Sequence, residues 1–242
     1  MYYIKKDNKT IEYQVIRTKR KKTIGIVIDP DKGVIIRAPK RISDGEIQKI
    51  VKKKSDWIFR KLDKIAQIKP VAKPKEYVSG EKLLYLGKKY KLLLCEDEKL
   101  KKVFIRLEDN MIQVCFNPDK VDGNKREAIR AELINWYYGQ AKWIIKERIE
   151  IYQSKVGETP SKIKIKNQKK RWGSCSSKGN LNFNWKLIMA PLIIIDYIVV
   201  HELTHLVHPN HSKNFWNKLA SIVPDYKERE EWLRVNVRRL IL

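Results

Sequence analysis

From Pro191 to Val200 the chain reads Pro-Leu-Ile-Ile-Ile-Asp-Tyr-Ile-Val-Val, and it runs unbroken into His201-Glu202-Leu203-Thr204-His205. A helix that is apolar nearly all round has to be buried, and proline suits its first turn. The fold must therefore contain a core helix whose C-terminal end carries a histidine pair. His201 and His205 stand one turn apart on one face, about 6 Å along the axis, so two imidazoles can converge on a single ion. Glu202 lies about 100° round from His201, near the ion but not stacked with the histidines. That position suits a general base acting on water at the ion.

Zinc in a catalytic site takes three protein ligands and keeps one position open. All four histidines of the chain lie between residues 201 and 211, so the third ligand is His208 or His211. On a continued helix His208 would stand about 10.5 Å of rise from His201, too far for three bonds of roughly 2.0 to 2.1 Å. Pro209 also disfavours helical geometry at His208, so the chain turns there. His211, beyond Pro209-Asn210, can fold back. The expected ligands of one zinc ion are thus His201, His205 and His211, with Glu202 catalytic and His208 either supporting a ligand or lying on the surface.

The chain has 242 residues, 43% of them apolar, enough for a sizeable core in one large or two smaller domains. The N-terminus turns polar at once and offers no signal-peptide run. The longest apolar stretch, residues 187–200, is broken by Pro191 and Asp196 and falls short of the roughly 20 residues a membrane span needs. A cytoplasmic protein with no membrane partner is expected. Cys95, Cys115 and Cys175 are odd in number and form no CxxC pair, so neither a disulfide framework nor a cysteine zinc finger is expected. The net charge of +25 favours polyanions, nucleic acid among them, through bulk charge alone, because no recognition-helix or RNP signature accompanies it.

Strand-like alternation runs through Ile11 to Ile16, and residues 24–28 and 34–36 flank a Pro/Asp/Gly turn as a hairpin. Ser43 and Glu46 form a capping box for a helix reaching Leu62. Residues 68–80, with two prolines and a closing glycine, read as a linker or exposed crossing segment. Four more strand-like runs follow between Lys82 and Phe116, then a long helix from about Asn124 to Lys155. Residues 23–63 and 102–150 share an order of strand, turn, strand, loop and helix, a weak internal repeat. Ile163 to Lys166 alternates like an edge strand, and residues 181–187 alternate again. Ser212 caps a helix to Ile222, and Pro224 starts another that runs to the end.

The sequence resembles the YgjP-like metallopeptidase family, relatives of the SprT-like zincins. The residues that carry the likeness are His201-Glu-Leu-Thr-His205, Pro209-Asn210-His211-Ser212, Phe215-Trp216, Arg171-Trp172-Gly173-Ser174-Cys175 and Asn180-Leu181-Asn182. Metzincins share the histidine spacing, but they have glycine where His208 stands and a later methionine turn, and no methionine follows Met189. The resemblance implies a small zincin-like domain with a three-histidine zinc and the HExxH glutamate as base. It also implies that residues 181–187 form an edge strand of the cleft, where an extended peptide adds as a further strand, Asn182 and Asn184 pointing one way.

The expected architecture is α+β, a basic β-rich N-terminal half before a zincin-like domain with an HExxH active-site helix and an edge-strand cleft. An N-terminal ββα region and linker would occupy residues 1–80, and the metallopeptidase domain residues 81–242. Arg171 and Trp172 would shape or charge the cleft wall, and Arg171, Trp172, Asn182 and Asn184 are the candidate substrate-binding residues. The leading function is zinc-dependent hydrolysis of a peptide or protein, with Glu202 as base. One alternative keeps the metal and hydrolyses a nucleotide or other phosphate compound. Another is a nucleic-acid-associated module, or a protease acting on DNA-bound proteins, the latter by analogy with SprT-like proteins.

Overall fold

A computed structural model describes residues 2–6, 9–121 and 124–242 as a mixed α+β protein of two compact units, residues 1–69 and 70–242. In the first unit the strands β1 (Tyr2–Lys6), β2 (Lys9–Thr18), β3 (Gly25–Asp29) and β4 (Gly33–Pro39) form a sheet in the order β1-β2-β4-β3. The β3–β4 hairpin turns at Asp29, whose carboxylate accepts from the Asp31 and Lys32 amides. The helices α1 (Asp44–Lys53) and α2 (Ser55–Ala66) follow, where the sequence pattern predicts one helix. Lys54 leaves helical geometry at φ −100°, ψ 8° and closes α1. Ser43 and Glu46 make the expected capping box. Ile36, Ile47, Val51 and Ile58, all fully buried or nearly so, join sheet to helices.

The second unit repeats that plan and then extends it. Strands β5 (Lys82–Tyr85), β6 (Lys88–Glu96), β7 (Phe104–Glu108) and β8 (Met111–Phe116) form a sheet in the order β5-β6-β8-β7. In both sheets the central pair is parallel and both flanking pairs are antiparallel. The internal repeat is therefore larger than the sequence suggests, four strands and a helical segment rather than two. Cys95 and Cys115 are register partners across the parallel β6–β8 pair and are joined by a disulfide. This corrects the expectation of no disulfide: the partners are 20 residues apart, and only the strand order brings them together.

Part of the segment at residues 68–80 is docked on the second unit. Tyr77 is buried with Leu83, Leu92 and Phe116, its amide donates to Glu81, and the Ala72 amide donates to the Arg238 carbonyl.

Helix α3 (Lys125–Val156) is 32 residues long, about 48 Å. Its first turns place Ile129 and Leu133 on the β5–β8 sheet, and its later turns place Ile144, Ile145 and Ile149 in a second, larger core. Gly157, with φ 92°, ends it in the left-handed conformation favoured by glycine. Then β9 (Lys162–Lys166), β10 (Gly173–Cys175) and β11 (Asn180–Asn184) form a three-stranded sheet in the order β10-β11-β9.

Residues 181–187, expected as an edge strand, instead contribute the central strand β11, paired on both sides and ending at Asn184. The Asn184 side chain accepts from the Lys186 amide and starts a 3-10 turn. The edges are β10 and β9.

Helix α4 (Leu192–Val207) is the core helix the sequence demands: every residue from Ile194 to Val200 is buried. Two attachments hold it. Arg148 of α3 grips Asp196 with two hydrogen bonds, Nε to Oδ1 at 2.6 Å and Nη2 to Oδ2 at 3.1 Å. At its N-terminus, the Leu86 and Gly87 amides in the β5–β6 turn donate to the carbonyls of Ile188 and Met189. A Cβ at Gly87 would lie 2.7 Å from Pro191 Cγ, so glycine permits this close approach as well as its φ of 78°. Helices α5 (Lys213–Ile222) and α6 (Tyr226–Asn236) complete the core through Phe215, Leu219 and Leu233. Among the described residues no helix is long and apolar enough to cross a membrane.

Candidate metal centre

Helix α4 stops at His208, whose φ of −125° and ψ of 95° are extended, as Pro209 requires. The chain turns through Pro209 and Asn210, and Ser212 caps α5 by accepting from the Phe215 amide. This turn carries His211 back to the two histidines of α4. One ligand-capable atom from each of His201, His205 and His211 lies within 4.8 Å of the others. The Nε2 atoms of His201 and His211 are 3.1 Å apart. Two nitrogens bound tetrahedrally to one zinc stand about 3.3 Å apart, so the donor set matches such an ion.

The protonation pattern is consistent with that match. Burial, then the neighbouring His205 and His211, push the His201 imidazole down to about 3, so it is neutral at ordinary pH. Burial also lowers His205. The His205 Nδ1 lies 3.2 Å from the His208 carbonyl, which fixes Nδ1 as the protonated nitrogen and leaves the Nε2 lone pair free. His208 thus supports the centre through its backbone. The Nδ1 of His201 is buried without a hydrogen-bond partner among the described residues.

Aromatic side chains wall the cluster. Phe215 packs 4.6 Å from the His205 ring, and Trp216 stacks on His211 at 5.5 Å with Tyr226 behind it. In the sequence Phe215 and Trp216 stood out only among the residues that carry the family likeness. Their positions directly after the Ser212 cap, one short turn beyond His211, were the available signal.

Glu202 is 5% exposed, and burial pushes its carboxyl up to about 8 while Arg171 pulls in the opposite direction. Strand β10 lies directly against it: a Cβ on Gly173 would fall 2.5 Å from Glu202 Oε1 and 2.6 Å from Cγ. Only a residue without a side chain lets the strand pass so close. This close approach was hidden in the sequence, where Gly173 appears only within the Arg171-Trp172-Gly173-Ser174-Cys175 motif.

A pocket of about 500 Å³ opens over these groups, bordered by Arg171, Gly173 to Ser177, Gly179, the three histidines, Glu202, Leu206 and Pro209. Its β10 side is an edge of the three-stranded sheet, unpaired by any other strand among the described residues. Burial raises the Cys175 thiol, with the Glu202 charge adding to the effect, so it stays protonated and is a poor nucleophile.

Of the four candidate substrate residues, Arg171 borders the pocket. Trp172 packs against the core instead. Asn182 donates to Ser174 Oγ, and Asn184 donates to the carbonyls of Gln168 and Arg171. The two asparagines brace the loop and hairpin behind the cleft and do not border it.

The family model described as YgjP-like, metallopeptidase domain matches residues 22–236. Among solved structures, the chain is similar to the metallopeptidase zymogen of Pyrococcus abyssi abylysin, with 22% identity and a TM-score of 0.35 over 37% of this chain and 90% of that one. No curated protein matches.

Proposed function

The chain belongs to the YgjP-like metallopeptidase family, and from that premise we propose that it is a zinc peptidase in which His201, His205 and His211 hold one ion and Glu202 is the general base. The observation that carries this reading is the seating of a buried glutamate between a three-histidine cluster and the free edge of β10. Zinc bound there would supply Lewis acidity, polarising the scissile carbonyl and making water a stronger acid.

The chain's own residues do the rest. An extended peptide adds to the open edge of β10 by backbone hydrogen bonds, which lays its carbonyl across the pocket. Glu202, at the floor of the pocket, takes the proton of the attacking water and delivers it to the leaving amine. Arg171 faces the same pocket and limits how far the Glu202 carboxyl rises. His208 holds the His205 tautomer, and Phe215 and Trp216 keep the ligand rings from turning.

The test is metal-dependent cleavage of a proteome-derived peptide library. New N-termini should appear with zinc-loaded protein, vanish with chelator and return with added zinc. Release of phosphate or pyrophosphate from nucleoside triphosphates, with no peptide cleaved, would contradict the reading.

A further inference from the structure

The opposite edge of the same three-stranded sheet borders a second groove. Strand β9 reads Lys162-Ile163-Lys164-Ile165-Lys166, with the three lysines exposed and the two isoleucines half-buried. It is the end strand of its sheet, pairing only with β11 among the described residues. Ile163 and Ile165 are register partners of Leu181 and Phe183, which are fully buried, so the isoleucines share the core face but run out of cover at the sheet's edge. Beyond them lies a pocket of about 460 Å³, closed on its far side by Tyr138, Gly139, Lys142 and Lys146 of α3.

Gly139 is the unexpected member. Glycine inside a helix is destabilising relative to alanine, yet a Cβ there would meet nothing within 4 Å. No close contact within the protein requires it, and its effect is to leave the groove open. Trp143, one turn on along α3, is 64% exposed.

We infer that this groove is a docking site for an extended acidic segment of another protein, with acidic and apolar residues in alternation. A strand laid along β9 puts alternate side chains on opposite faces. One set falls beside Lys162, Lys164 and Lys166, where opposite charges directly across a strand pair attract. The other set enters the groove above Ile163, Ile165 and Gly139. Lys142 and Lys146 add positive charge at the helical rim, and the Lys146 contact with Glu150, 3.7 Å between two well exposed groups, is too weak to cancel it. The lysines exclude a second copy of β9, since like charges would face each other, and so select an acidic strand.

The site is separate from the metal centre, and its test needs no catalysis. A short fluorescein-labelled peptide alternating Glu and Val is titrated with the full chain, and binding is read by anisotropy. It should bind, and a Lys-Val peptide should not. Gly139→Leu fills the groove without burdening the helix and should weaken binding about tenfold or more, with Tm unchanged or raised. Lys164→Glu should weaken it as much and should gain affinity for the Lys-Val peptide. No binding, equal binding by both variants, or self-association of the protein that Gly139→Leu abolishes would overturn the inference.

Discussion

Gly173→Ala tests how the proposed base is held. The new Cβ would lie 2.5 Å from Glu202 Oε1, where ordinary contact begins at 3.4 Å. Either the carboxylate or strand β10 must yield by about 0.9 Å, and a misplacement of about 1 Å at a reacting group costs on the order of 100-fold in rate. Glu202 is packed in place and cannot swing into open solvent, being 5% exposed. The three atoms nearest the new Cβ all belong to Glu202 and none to a histidine, so metal content should be unchanged. The expected outcome is a fall of about 100-fold in both kcat and kcat/KM, the pattern of an interaction made in the transition state. Steady-state cleavage of a fluorogenic peptide, zinc content and Tm on the same preparations measure it. Turnover within about threefold of wild type, with zinc retained, would refute the idea that this glycine seats the base.

Other outcomes follow from the same geometry. In metal-free protein Glu202 titrates at about 8 folded against 4.5 as an ordinary carboxyl. Its stabilising contribution is therefore present below about pH 4.5 and is lost as pH rises through about 8, on the order of 4 to 5 kcal/mol at the limit. Urea unfolding in chelator should show metal-free Glu202→Gln gaining on wild type by a few kcal/mol between about pH 5 and pH 9; a flat difference would be inconsistent with a buried carboxyl. Asp196→Ala removes the buried partner of Arg148, whose side chain is 15% exposed, leaving it the 3.6 Å contact with the more exposed Glu147, and should cost about 3 kcal/mol in urea unfolding. Replacing both partners by Met and Leu should recover most of that loss. In metal titrations His211→Ala should lose zinc, whereas His208→Ala, which keeps its backbone carbonyl, should retain it.

The sequence carried the centre more fully than the cleft. The apolar run before His201, the stop at Pro209 and the cap at Ser212 are local signals, and each acts through backbone rules that a short window reveals. Strands β2, β3 and β4 of the first sheet and helix α3 were legible for the same reason. Strand order was not: alternation in residues 181–187 indicates a strand, but whether it is central or at an edge depends on β9, which joins it in parallel from across the loop. The family likeness put Asn182 and Asn184 on an edge strand of the cleft, and only the fold shows them bonded to Ser174, Gln168 and Arg171. Gly173 and the Cys95–Cys115 pair depend on contacts between distant segments, which no pattern within one segment records.

The most direct measurement is zinc stoichiometry and peptide turnover determined together for wild type and Glu202→Gln. The proposed centre predicts one zinc per chain in both and turnover only in the wild type, because the three histidines hold the ion and the glutamate moves the proton. Proteolysis that persists in the zinc-loaded Gln variant would contradict it.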